Sequence, residues 1–373
     1  MKRLSPRFAC VFLCAALFLF PAAGPASGSW RTLVPDLAED YLVLSDEDFT
    51  GDITVTFLGD CTLGGEEKSR NASLGFFRRV AENGPGFPLR EMSRLTLHDD
   101  LTVANLEGVL TDRTLEKVEK EYNFSGPAAY TEILTSAGVE CVTVANNHSH
   151  DYGEAGYADT KAALASAGIC WFGTDAPAVW RNDEGLMIGF VGVSFSLSGN
   201  RYKQYVRQVE ELKQYGCAAI ITVMHAGTEY SYSAPDSYQA QIAARAVENG
   251  SCLVVGHHPH VVQGYEIRGN VPVVYSLGNC SFGGTTHAKD SDALVLQAVL
   301  SFRDSVLTEI TLRFYPISIT SDARYNNYSP CFLSGADAER VLGKMRKSTG
   351  ADPGPWTEST GAVVTVTVRD PDQ

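Results

Sequence analysis

The chain has 373 residues, 44% apolar, 10% aromatic and 20% charged, and carries a net charge of −14 at pH 7. That apolar content supports a sizeable core and excludes an intrinsically disordered chain, which combines high net charge with low hydrophobicity. The acidic balance excludes nucleic acid and an anionic bilayer surface as natural partners, because both select for lysine and arginine.

At the N-terminus, Lys2, Arg3 and Arg7 precede an unbroken apolar run from Phe8 to Phe20, followed by small residues up to Gly28. A basic start, a short apolar stretch and small exit residues are the layout of a secretory signal peptide. The run is shorter than the ~20 residues a spanning helix needs. An uncleaved anchor, lengthened by Ala22, Ala23 and Ala26, is the alternative. The expected location is therefore extracytoplasmic, secreted or anchored to the membrane by residues 1–28. Loss of that segment removes three positive charges and takes the body from −14 to −17.

Residues 29–50 are acidic and irregular and read as a linker. From residue 51, strands and helices alternate. Ile53 to Leu58 is β-branched and alternating, as a strand requires. Short apolar runs at 101–104, 141–145, 188–193, 218–223, 253–255 and 271–275 read as buried strands. Helices are expected near 70–82, 127–137, 154–167, 200–215 and 235–249, the last two with charged faces. This alternation predicts an α/β architecture with helices covering sheets. From residue 293 a hairpin is expected, turning at Arg303-Asp304, then a helix at 335–347 and a last strand at 362–368.

Beyond residues 1–28, seven cysteines remain, at 61, 141, 170, 217, 252, 280 and 331. They are widely spaced, without CxxC pairs, and mostly sit in apolar runs, so they read as buried free thiols.

The polar residues fall in a pattern. Apolar strands end in Gly59-Asp60, in Asn105-Leu-Glu107, and in Asn146-Asn147-His148-Ser-His150-Asp151-Tyr-Gly153. Others end in His225-Ala-Gly-Thr-Glu229, in Gly256-His257-His258-Pro-His260, and in Tyr275-Ser-Leu-Gly-Asn279. In open α/β folds, ligands bind outside the carboxyl ends of strands, so these clusters are expected to converge. Six of the eight histidines lie in them. Imidazole, carboxylate and amide oxygen together suit Zn, Mn or Fe. Taken singly, Asp60 reads first as a helix-cap or turn residue, Asn146-Asn147 as a left-handed turn pair, and His225 as a satisfied core histidine. Three histidines in four loop residues have little packing purpose, and the joint pattern carries the metal reading.

In this order, and with Gln263 following the histidine loop, these motifs resemble the CapA family of capsule-synthesis and poly-γ-glutamate biosynthesis proteins. That family belongs to the calcineurin-like metallophosphatase superfamily, and the resemblance covers about residues 52–320. It implies a four-layer α/β/β/α metallophosphatase-like sandwich over 51–320, with residues 321–373 as a C-terminal strand-helix extension. It also implies one or two divalent transition metals, Mn, Fe or Zn, at the strand ends. By matching position, Asp60, Glu107, Asn147, His225, His258 and His260 are the expected metal ligands and His148 the catalytic histidine. Asn105, Asp151, Glu229, His257, Gln263 and Asn279 are expected around them, orienting ligands or meeting substrate. Two departures stand out. Thr62 occupies the position where the phosphatase pattern has a histidine, and Glu107 replaces the usual bridging aspartate. The implied activity is metal-dependent hydrolysis of a phosphoester or a γ-glutamyl bond, with an anionic polymer as substrate. The competing reading is a non-catalytic polymer-binding or export component working with membrane synthase subunits.

Overall fold

The computed structural model describes residues 28–33 and 48–368. The expected signal segment, apart from Gly28, lies outside the described residues, as does most of the acidic linker. Among the described residues no helix is long and apolar enough to cross a membrane.

Two large sheets face each other. One has seven strands, in the order Gly28–Thr32, Ala178–Asn182, Met187–Ser194, Ala219–His225, Leu253–His257, Val271–Val274 and Tyr265–Arg268. The other, with ten strands among the described residues, runs from Trp356–Thr357 through Gly361–Thr367, Val306–Ser318 and Asp292–Arg303. It continues through Gly51–Thr62, Leu101–Leu106, Cys141–Thr143 and Cys170–Phe172. Asn279–Phe282 pairs alongside Gly51–Thr62, and Cys331–Phe332 alongside Val306–Ser318.

The period-two alternation of side chains builds the layers. Ile53, Val55 and Phe57 join Ile188, Phe190, Ile221, Val223 and Val255 in a core between the sheets. The opposite faces bury Val142, Val144 and Leu58 beneath the helices Phe76–Asn83, Thr131–Thr135 and Gly153–Ser166. On the other side, Val191, Val193 and Val254 lie beneath Gly199–Gln214 and Ser237–Glu248. The result is the expected α/β/β/α sandwich. Central parallel strands are apolar on both faces because helices and the second sheet leave neither face wet.

The hairpin forms between Asp292–Arg303 and Val306–Ser318, leaving Asp304 and Ser305 as a two-residue turn with φ of 50° and 60°. Both turn residues thus adopt the left-handed region that a tight hairpin favours. The helix expected at 335–347 runs from Gly335 to Thr349. Its Arg340 and Lys344 reach Asp292 at 2.8 Å each, tying the extension to the hairpin strand.

One expectation needs correction. The first residues of the stretch 29–50 read as an irregular linker belong, with Gly28, to an edge strand, Gly28–Thr32, antiparallel to Ala178–Asn182. A five-residue strand that puts Trp30 against Phe190, at 5.0 Å between ring centroids, gains enough burial to pair despite its polar sequence. Strands at Cys170–Phe172, Tyr265–Arg268 and Asn279–Phe282 were also not expected, each being too short to show a period.

Candidate metal centre

The site begins with a bulge. Leu58 pairs with Ala104 and Asp60 with Asn105, so Gly59 is an extra residue in its strand. In a regular strand Asp60 would follow Leu58 into the helix-side core. The bulge inverts the alternation: Cys61 takes the helix side and Asp60 turns towards the space between the sheets. Only glycine fits at position 59, because a Cβ there would stand 2.3 Å from the carbonyl oxygen of Gly278.

Normal alternation does the same for the other strands. Val223 and Val255 face the inter-sheet core, so His225 and His257, two residues on, face the same way. The loop after His257 then bends sharply. His258 and His260 have φ of 99° and 55°, a conformation that costs a non-glycine residue about 1–3 kcal/mol and clusters at functional sites. The backbone N–H of His258 donates to Asp60 Oδ2 at 3.3 Å, and Tyr230 N–H donates to Pro259 O at 2.8 Å, holding the bend.

The six expected ligands converge. Glu107, His258 and His260 offer atoms that all lie within 4.8 Å of one another, and all three residues are buried. His260 Nδ1 lies 3.2 Å from Asp60 Oδ2 and 2.8 Å from Asn279 Oδ1. Asn105 donates to Asp60 Oδ1 at 2.8 Å and its Nδ2 sits 3.2 Å from His225 Nδ1. Three acceptors crowd His225 Nε2: Asn147 Oδ1 at 2.6 Å, His258 Nδ1 at 3.1 Å and Glu107 Oε1 at 3.4 Å.

These residues fit a divalent cation. A single N–H cannot satisfy three acceptors, whereas a metal ion at their centre would bind all of them. Both carboxylate oxygens of Glu107 are fully buried and form no hydrogen bond, with the imidazoles of His225 and His260 facing Oε1 at 3.4 and 3.9 Å, although a buried charge is costly unless it is both paired and hydrogen-bonded. The hydroxyl of Thr62, in place of the pattern's histidine, is likewise buried without a hydrogen bond.

Electrostatics divide this donor set: without an ion His258 is neutral, whereas His260 holds a proton that a bound cation would have to displace. Burial lowers His258 to about 3, with the neighbouring His225 adding to the effect, so its imidazole is neutral and able to ligate. Burial acts the same way on His260, but the charges of Glu107 and Asp60 and its hydrogen bonds to Asp60 and Asn279 raise it to about 10. Burial alone would raise Asp60. The close imidazoles of His257 and His260, with the charge of His225 adding, outweigh it and hold the carboxyl well below its usual range. Glu107 is lowered against the same burial effect, chiefly by the His260 charge.

The expected catalytic residue adjoins this centre. His148 Nδ1 lies 2.7 Å from Asp151 Oδ2, and since the carboxylate accepts, the proton sits on Nδ1 and leaves Nε2 available. Asp151 is fully buried and also takes the Phe124 N–H and Lys120 Nζ, each at 2.6 Å. The Phe124 ring packs on the imidazole with centroids 4.4 Å apart.

Not every expected residue joins in. Glu229 is exposed on its loop and forms no hydrogen bond to a site imidazole. Gln263 is buried but holds that loop instead, donating to Ser231 O at 2.8 Å. His257 Nδ1 stands 3.1 Å from Asp60 Oδ1 without making a hydrogen bond. Cys61 and Cys280 face the helix-side core, away from the donors, which leaves them as packing thiols. Lys120 was missed: it lies in Arg113-Thr-Leu-Glu-Lys-Val-Glu-Lys-Glu, whose alternating charges look like a solvated surface.

Two facing sheets whose strand ends gather imidazoles, carboxylates and amides in this way define a metallophosphatase-like protein. Residues 54–283 match the family described as bacterial capsule synthesis protein PGA_cap, and the chain belongs to that family. It is similar to the capsule biosynthesis protein CapA of Bacillus anthracis, 26% identical over 265 residues, which are 64% of this chain and 62% of that protein. The PGA biosynthesis protein CapA of Bacillus subtilis (strain 168) is 26% identical over 216 residues, 52% of this chain and 56% of that one. A probable polyglutamine synthesis accessory protein of Mycobacterium tuberculosis is 28% identical over 216 residues, covering 48% of this chain and 55% of its own length. The matched stretch thus spans less than two thirds of each of these relatives.

Proposed function

We propose that this chain is an exported, metal-dependent hydrolase of capsule polymer synthesis that acts on an anionic substrate, a γ-glutamyl polymer before a phosphoester. The carrying observation is the fully buried, unbonded Glu107 carboxylate beside His258, His260 and the His148–Asp151 pair. Glu107, His258 and His260 would hold the metal, with Asp60, Asn147 and His225 completing the donor set. When bound, a divalent ion supplies Lewis-acid polarisation and activation of water.

The chain's own residues provide the rest. Asp151 holds the Nδ1 proton of His148, so Nε2 takes the proton released by the attacking water and then passes it to the leaving group. Asn105 and Asn279 orient Asp60 and His260 through hydrogen bonds of 2.8 Å each. Phe124 and Phe282 pack on His148 and His260 with centroids 4.4 and 5.2 Å away, which limits water access.

The test is metal analysis of purified protein together with hydrolysis of poly-γ-glutamate and a generic phosphodiester in Mn, Fe or Zn. His148→Gln is expected to keep the metal and lose roughly 10²–10⁴ in rate. Absence of hydrolysis with every metal would sink the proposal.

The accessory designation of the mycobacterial relative favours a second reading, a non-catalytic component that binds or guides polymer within a membrane synthase complex. Capsule output retained in a His258→Ala/His260→Ala double mutant would favour it.

A further inference from the structure

A cavity adjoins the candidate metal centre. It has a volume of about 290 Å³, and its lining includes Asn146, Asn147, Ser194, Phe195 and Arg201. Asn147 is shared with the centre, since its Oδ1 meets His225 Nε2. Phe195 is shared as well: its ring stands edge-on to His258 at 5.9 Å. The two spaces are therefore neighbours along one surface.

Ser194 is the unusual member. It pairs with His225 in register, and it lies four residues on from Phe190 and so on the same face, towards the space between the sheets and the site. Its Oγ is buried, the residue is 9% exposed, and the hydroxyl has no hydrogen-bond partner. Such a group costs about 1–3 kcal/mol unless something binds it. Across the cavity, Arg201 is exposed and forms no ion pair or hydrogen bond among the described residues. It stands in the first turn of Gly199–Gln214, a helix whose N-terminus has no side-chain cap and carries the positive end of the dipole. An unpaired guanidinium, a buried hydroxyl and a helix N-terminus share one chemistry: they recognise an oxyanion.

We propose that Arg201 and Ser194 form an anion subsite beside the metal centre, which binds a negatively charged substituent of the substrate away from the bond being cleaved. A carboxylate on a neighbouring polymer unit, or a phosphate, would fill it. The inference rests on the reading of the adjoining site as a centre for anionic substrates. It also resolves a conflict of charge, because the body is strongly acidic while Arg201 offers a local cation that is not consumed by the protein's own carboxylates.

The test uses the full chain and calorimetric titration of a γ-glutamyl trimer, the same trimer with amidated side carboxyls, and inorganic phosphate. Arg201→Gln and Ser194→Ala are compared with wild type, with Arg201→Lys as the conservative variant. The trimer is expected to bind about tenfold more weakly to Arg201→Gln, less so to Arg201→Lys. The amidated trimer is expected to be indifferent to Arg201, and metal content is expected to be unchanged in all variants. Arg201-dependent binding of phosphate, with none of the trimer, would assign the subsite to phosphate. Equal binding to wild type and Arg201→Gln, or no binding of either probe, overturns the subsite. Wild-type protein that takes up no metal would defeat the proposed function, while Arg201-dependent trimer binding would still uphold the subsite.

Discussion

Asp60 and Asn105 stand directly opposite each other on neighbouring parallel strands, joined by a 2.8 Å hydrogen bond, only because Gly59 is an extra residue in its strand. Without that bulge the carboxylate would point into the helix-side core beside Leu58. Position 59 therefore controls the site as much as any ligand does.

Gly59→Ala forces a Cβ against the Gly278 carbonyl oxygen at 2.3 Å. The expected cost is about 1–3 kcal/mol in urea unfolding. Metal stoichiometry should fall at the same time, because relief of the clash displaces Asp60. A variant with normal stability and full metal content would refute this role.

Metal removal should destabilise the protein in a concentration-dependent way, since an ion that binds only the folded state stabilises it by mass action. Chelation is expected to lower Tm, and restoring the ion should raise it again. Asn279→Ala, which takes away the acceptor on His260 Nδ1, should weaken metal affinity roughly 10–100-fold with the fold intact. Glu107→Gln should abolish uptake and leave Tm insensitive to the chelator.

Lys120 is expected to support His148 through Asp151, which it meets at 2.6 Å. Lys120→Met leaves that buried carboxylate with fewer partners, at a cost of about 1–3 kcal/mol. In the hydrolysis assay it should lower kcat more than it changes KM, because His148 loses its fixed orientation. An unaltered kcat would remove Lys120 from the site.

A pH effect should arise away from the candidate metal centre, at the N-terminal ends of the strands Leu101–Leu106 and Cys141–Thr143. Burial raises Asp99 and Glu140 to about 7 each, outweighing hydrogen bonds that both share with Thr102. These carboxyls hold protons more tightly folded than unfolded. Their contribution is full below about pH 4 and is lost as pH rises through 7. Asp99→Asn and Glu140→Gln should therefore flatten the loss of stability between about pH 4 and 7, read from urea midpoints. A slope equal to that of wild type would contradict the assignment.

Much of this was legible in the chain. The helices at 153–166, 199–214 and 237–248 lie within two residues of the expected spans, because length and amphipathic period leave few choices. The polar clusters were legible because apolar strands that end abruptly in His, Asp and Asn have no packing reason to do so. Gly28–Thr32 was not legible, since an edge strand of five residues borrows its order from Trp30 against Phe190. Lys120 was hidden in a charged stretch, and Ser194 in an apolar strand, where nothing local marks either as functional.

The sequence by itself determined the alternation of strands and helices, the six polar strand ends and the donor chemistry they carry, because these depend on local period and residue type. Only the tertiary structure decided which donors meet. The Gly59 bulge turns Asp60 towards the site, left-handed backbone at His258 and His260 aims two imidazoles at Glu107, and strand register sets Ser194 beside His225. Contacts between residues far apart in the chain depend on register and on the packing of the two sheets, and neither is written in any single segment.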